Sequence, residues 1–184
     1  MPKWYGGSAL NPDILIPPEN QWALQWARVC RWYERCKKLC NKRVVEALTE
    51  EDLDEVIAFF QNCFHLREWV VGSHPEIKKV LQQFSRENFE MGACRDICNG
   101  YKHKVIKWPS HDPDFNFYQE YDYGVEESGT GESPIRYNFA FAEGEGIRKF
   151  DAFDLVEQCF NLWREILLDQ GLLPVQVKPE SGNE

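Results

Sequence analysis

Four polar residues in one short stretch have the types and spacing that could do chemistry: Arg95, Asp96, Asn99 and His103, within Cys94-Arg95-Asp96-Ile97-Cys98-Asn99-Gly100-Tyr101-Lys102-His103. Wound as a helix at about 100° per residue, these four fall on one side, and Cys94, Ile97, Cys98 and Tyr101 fall on the other. Asp96, Asn99 and His103 stand at i, i+3 and i+7 and so stack along one stripe. An acid or amide bonded to one imidazole nitrogen fixes the tautomer and leaves the other nitrogen for proton transfer. A cation beside it, Arg95 or Lys102, would stabilise the charge on a phosphoryl group. His103 is therefore the candidate acid–base group, Arg95 or Lys102 the phosphate partner, and Asp96 and Asn99 the orienting pair. The same residues also describe an ordinary solvated face, or a helix that ends at Asn99-Gly100, because Asn-Gly is a turn signal.

The elements that must position this stretch are mostly helical. Residues 1–19 are rich in Pro and Gly and read as an arm. Helix one is expected from about Asn20 to Asn41, where Trp22, Trp26, Val29, Tyr33, Cys36 and Cys40 form an apolar stripe. Thr49 with Asp52 opens helix two as a capping-box start. That helix should reach Val71, with Gly72 near its end. Its apolar residues cover more than half of the wheel, which predicts a central position. Its polar arc holds Gln61, Asn62, His65, Glu68 and Trp69. Were helices two and four antiparallel neighbours, His65 and Glu68 would face Asp96, Asn99 and His103, a polar seam serving either chemistry or packing specificity. Helix three is expected over about Pro75 to Phe84 and helix four over about Asn88 to His103.

The period then changes to two. Phe115, Phe117, Gln119, Tyr121 and Tyr123 alternate with polar residues, as do Ile135, Tyr137, Phe139 and Phe141 with theirs, so a β-hairpin is expected over about 115–142 with a long loop from Gly124 to Pro134. A lone hairpin is marginal in water, so its aromatic face must pack on the bundle or on another subunit. Asp151 with Asp154 opens a last helix and Gly171 stops it. The fold class expected is mostly α, a single-domain bundle of about five helices over residues 20–171 with a β-hairpin inserted between helices four and five. Residues 172–184 are expected to be a disordered tail.

Composition narrows the function. The chain has 184 residues, a net charge of -9 and 43% hydrophobic residues. That charge argues against broad, non-specific nucleic-acid binding. It is unevenly spread: Arg28, Arg31, Arg35, Lys37, Lys38, Lys42 and Arg43 crowd helix one, where Trp32 and Tyr33 interleave them, whereas Asp112, Asp114, Glu120, Asp122, Glu126, Glu127 and Glu132 crowd the hairpin region. The basic run suits phosphate and base contact, or is the wet side of an amphipathic helix. Seven cysteines at helix-like spacings read as small buried hydrophobes in a reducing compartment. No set has the spacing of a structural zinc site: Cys94, Cys98 and His103 point to different sides of one helix, and Cys30, Cys36 and Cys40 contain no CxxC pair. There is no P-loop, Rossmann fingerprint, G-x-S-x-G or H-E-x-x-H. No apolar run reaches membrane-spanning length and no signal-peptide layout opens the chain, so a cytoplasmic protein without metal or cofactor is expected.

Over about residues 20–171 the layout resembles the HEPN superfamily (higher eukaryotes and prokaryotes nucleotide-binding domain), a helical bundle whose late core helix carries an arginine, four to six residues of any type, then a histidine. Asn99-Gly100-Tyr101-Lys102-His103 matches the second half of that pattern, and the stretch from Asp96 to His103, together with Phe64-His65-Leu66-Arg67-Glu68-Trp69, is similar to uncharacterised bacterial HEPN-like proteins. Cys98 stands five before His103, where the motif would place arginine, and Arg95 lies one turn earlier. The resemblance implies a homodimer that binds RNA or a nucleotide, or that cleaves RNA without metal through the ribose 2′-hydroxyl, with His103 as the acid–base group. The alternative is a non-catalytic interaction or nucleotide-binding module of a bacterial defence, toxin–antitoxin or mobile-element system, with the aromatic hairpin and acidic loop engaging a protein partner.

Overall fold

The computed structural model describes residues 20–102, 109–111, 115–120, 135–143 and 145–173. Its elements follow in the order α1 (Gln21–Lys42), α2 (Glu50–Ser73), a 3-10 turn (Pro75–Ile77) running into α3 (Lys78–Glu87), α4 (Phe89–Lys102), β1 (Asn116–Glu120), β2 (Arg136–Glu143), β3 (Gly146–Asp151) and α5 (Ala152–Asp169). The fold is mostly helical, with five α-helices and a small antiparallel sheet between the fourth and fifth. The expected arm over 1–19, the tail beyond residue 173, His103 and most of the acidic stretch (Asp112, Asp114, Asp122, Glu126, Glu127, Glu132) lie outside the described residues.

Helix α2 is the hub, as its apolar wheel demands: Val56, Phe59, Phe60, Cys63, Leu66 and Val70 are all buried, and α1, α4 and α5 pack around it. Its start is fixed locally. The Thr49 side chain accepts from the Asp52 N–H at 3.2 Å, and the Asp52 carboxylate accepts from the Thr49 N–H at 2.8 Å. Lys42, in the last turn of α1, donates to the same carboxylate at 2.6 Å and so ties the end of one helix to the start of the next. The hydrogen bond from Lys42, with the Thr49 N–H beside it, holds the Asp52 carboxyl below its ordinary value. A carboxyl lowered by folding stabilises the fold above its unfolded value and loses that contribution as pH falls through the folded one. The acid limb of the stability–pH curve should therefore be shallower in Lys42→Gln than in the wild type, measured by urea midpoints below pH 4 to 5. Identical limbs would show that the pair contributes nothing.

The sheet has order β1-β2-β3, with Phe117 opposite Phe139 and Phe139 opposite Phe150. The expected two-stranded hairpin is thus one strand short: β3 returns along β2 after a tight turn and runs straight into α5. Only Phe150 and Asp151 of β3 are buried and Ile147 is exposed, so the strand shows no clean alternation to be read in advance. The aromatic face packs on the bundle. Tyr137, Phe139 and Phe141 are fully buried, Phe139 meets Phe60 edge-on at 5.6 Å, and the Tyr137 hydroxyl accepts from the Leu48 N–H at 2.7 Å. These rings are covered within the chain. Helix α5 starts at Asp151, whose carboxylate accepts from the Phe153 N–H at 3.0 Å and the Asp154 N–H at 3.4 Å. It stops at Gly171, whose φ of 69° favours a residue without a side chain. Leu172 and Leu173, expected in the tail, pack on the core instead. Among the described residues, no helix is long and apolar enough to cross a membrane.

Candidate functional site, an arginine-lined cleft on α2 and α4

Helices α2 and α4 pack against each other. Phe64 and Arg67 share a cavity with Met91, Gly92 and Arg95, and Gln61, Asn62 and His65 share another with Cys98 and Lys102. Advancing along α2 therefore means retreating along α4, so the two helices are antiparallel. Helix α4 continues through Asn99-Gly100 to Lys102, so the Asn-Gly pair lies inside the helix.

The first cavity is a cleft of about 360 Å³. Arg67 from α2, Arg86 from α3 and Arg95 from α4 line it with His111, and Gln82, Ser85 and Ser110 add polar groups. Among the described residues, no aspartate or glutamate lines it, although the chain as a whole carries -9. Arg67 and Arg95 are half-buried and Arg86 is exposed. Arginine presents a planar fork of donors suited to phosphate oxygens, and partial burial strengthens such interactions relative to open water.

Asp96, expected beside Arg95 and Asn99 on a solvated face, is fully buried. The chain after α4 folds back across it: the backbone N–H groups of Ser110 and His111 donate to its two carboxylate oxygens, each at 2.7 Å. This carboxylate anchors a wall of the cleft. His111 is fixed further by stacking on Phe89 at 3.7 Å between centroids and by an Nε2 contact of 2.9 Å to the Phe89 carbonyl. Gly92 makes room for that ring, because a Cβ there would overlap the imidazole. The sequence does not single out Arg67, Arg86 and His111 as site residues. The one local signal for them is the placement of Gly92 and Arg95 three apart, on one face of α4.

The second cavity, about 280 Å³, adjoins the seam. His65 Nδ1 lies 3.5 Å from Glu68 Oε2, so the expected pair on α2 forms. Lys102 joins His65 there, and Asn99 is half-buried on the same turn of α4. Burial raises the Cys98 thiol, with Lys102 acting in the opposite sense. Of the expected set, Arg95 lies in the cleft, His65 and Lys102 line the neighbouring cavity, and Asp96 lies apart beneath residues 110–111. His103, next after Lys102, is outside the described residues.

Much of the basic run of α1 is engaged within the fold. Arg35 pairs with Glu55 at 2.9 Å and lies 4.7 Å from the centre of the Trp32 ring, Lys37 pairs with Glu34 at 3.4 Å, and Arg28 lies 5.3 Å from the Trp69 ring. Arg43 pairs with Asp151 and lies over Phe153 at 4.5 Å. These cations are taken up by the bundle itself, and the cation-rich concavity is the cleft. Cys94 and Cys98, weighed together as ligands, separate: Cys94 points into the core toward Cys63 and Cys159, whereas Cys98 lines the second cavity. Comparison with known proteins finds no matching family model, no matching curated protein and no matching solved structure.

Proposed function

We propose that this chain is a HEPN-like, RNA-binding helical domain, with the phosphate backbone held in the cleft by Arg67, Arg86 and Arg95. The observation that carries the reading is the convergence of three arginines, from three different helices, on one concavity of an acidic protein. A positive cleft in a negative surface focuses an anionic ligand onto one place and disfavours indiscriminate coating of a polyanion. Arg95 lines the cleft and immediately precedes the stretch, Asp96 to His103, that resembles the family signature. In the catalytic version, His103 would accept the 2′-hydroxyl proton and donate one to the leaving oxygen, with Arg95 or Lys102 on the phosphate and no metal. Dimerisation would bring a second copy of these groups to the site.

A non-catalytic reading is favoured by two specific observations. Cys98 holds the motif position where an arginine would stand, and both Asp96 carboxylate oxygens accept backbone N–H groups of the chain itself. Binding alone then remains, of RNA or a nucleotide.

The test is fluorescence anisotropy with a labelled single-stranded RNA in EDTA across a salt series, followed by gel analysis of the same RNA. Arg67→Gln/Arg95→Gln should bind about tenfold or more weakly, since a hydrogen bond to a charged group contributes about 1.5–3 kcal/mol. Its log–log salt slope should fall by about one for each phosphate that an arginine no longer neutralises. Equal affinity in the double variant, or no binding by the wild type, would sink the proposal. RNA cleavage by the wild type that is absent in His103→Ala would select the catalytic version.

A further inference from the structure

Away from the cleft, the densest concentration of reactive groups is at the centre of the bundle. Cys63 of α2, Cys94 of α4 and Cys159 of α5 place their three Sγ atoms within 4.8 Å of one another, and all three residues are fully buried. Cys94 and Cys159 donate to the carbonyls of Phe60 and Glu90, each at 3.4 Å. The Trp163 indole N–H is buried without a hydrogen-bond partner and lies against the Cys63 sulfur. Cysteine serving only as a small core hydrophobe needs no such convergence from three helices, and an orphaned indole N–H beside the sulfurs is the donor a thiolate ligand would use.

We propose that Cys63, Cys94 and Cys159 form a three-coordinate site for a trivalent thiophilic centre of the arsenite or antimonite class. The geometry is compatible: three sulfurs bound at about 2.3 Å to a pyramidal centre stand about 3.5 Å apart, a small contraction from a trio that lies within 4.8 Å. Coordination number argues against zinc, whose structural sites take four ligands, because no fourth histidine, cysteine or carboxylate joins this group among the described residues. Charge argues in the same direction. The three sulfurs are enclosed at zero exposure, where a neutral complex is favoured over a charged one. Arsenite, As(OH)3, exchanges its three hydroxyls for three thiolates. Three S–H and three As–O bonds break, three As–S bonds form, the thiol protons leave with the hydroxyls as three waters, and nothing is oxidised or reduced. The product is neutral. A monovalent ion such as Cu(I) held by three thiolates would leave two negative charges in a water-free core, which is strongly unfavourable.

The test uses the full chain, reduced and anaerobic, with arsenite as the probe. Native mass spectrometry should show one arsenic per chain. X-ray absorption should show three sulfurs and no oxygen around it, and Trp163 fluorescence should change on binding. A Cys30→Ser/Cys36→Ser/Cys40→Ser/Cys98→Ser variant, whose core trio is intact, should behave identically. Cys63→Ala, Cys94→Ala and Cys159→Ala should each lose the one-to-one uptake. Absence of uptake by the quadruple variant, or uptake that survives in a folded core variant, would overturn the site. Uptake of Cu(I) but not arsenite by the same three cysteines would overturn the trivalent assignment.

Discussion

Asp96→Ala should lose about 2–4 kcal/mol of stability, because it strips the acceptors from two backbone N–H groups that the fold has turned inward, at about 1–3 kcal/mol for each one left unpaired. The donors are Ser110 and His111, each 2.7 Å from a carboxylate oxygen of a residue with no exposure. The loss falls short of a full double penalty because Ser110 is exposed and His111 half-buried, so water can reach part of the vacated space. Asp96→Asn keeps one acceptor and turns an amide N–H toward the second donor, so it should lie between wild type and alanine. Two measurements check this. Urea unfolding gives the stability, and amide hydrogen exchange at Ser110 and His111 should accelerate well before global unfolding. The variant should also weaken RNA binding without touching the ligand, since Ser110 and His111 form one wall of the cleft. Unchanged exchange at both amides would show that Asp96 does not hold this segment.

The same residue shows why parts of the site escape a reading of the sequence. On a helical wheel, Asp96 sits with Arg95 and Asn99 and looks solvated. Its burial depends on residues 14 and 15 positions later folding back over it, which no local period encodes. Arg67 and Arg86 belong to the site only because α2, α3 and α4 converge, and each alone is an unremarked cation on an amphipathic helix. Local signals transfer well. The Thr49–Asp52 box, the Asp151 cap and the Gly171 stop involve hydrogen bonds or φ angles within a few residues, and all three lie where the side-chain chemistry puts them. The bundle is legible for the same reason, since the apolar stripes of α1, α2 and α5 are long. Strand β3 is not, because it presents one exposed Ile147 and a single buried ring, Phe150. The basic run on α1 is legible as charge but not as partnership: Arg43 finds Asp151 at a separation of 108 residues.

That last pair carries the second large effect. Asp151→Ala should cost about 3–5 kcal/mol, the range for removing one partner of a buried ion pair, of which about 1 kcal/mol is the helix cap. Its carboxylate does three jobs at the junction of α1, β3 and α5. It ends the strand, caps the helix through the Phe153 and Asp154 N–H groups, and neutralises Arg43, whose side chain is 13% exposed against 5% for Asp151. Removing it leaves a guanidinium held over the Phe153 ring without its ion-pair partner. Asp151→Asn separates the jobs, because asparagine caps a helix as well as aspartate does and cannot neutralise the cation. Arg43→Met removes the cation and keeps its apolar stem, so a double-mutant cycle of Arg43→Met with Asp151→Asn isolates the ion pair from the cap. A third readout is independent of stability. Burial first, and the Asp151 charge second, hold the Asp154 carboxyl above its ordinary value. In Asp151→Asn, NMR titration of Asp154 should therefore show its carboxyl moving back down. If Asp154 titrates as in the wild type and the cycle shows no coupling between residues 43 and 151, then Arg43 is a solvated cation after all, and the start of α5 rests on its cap alone.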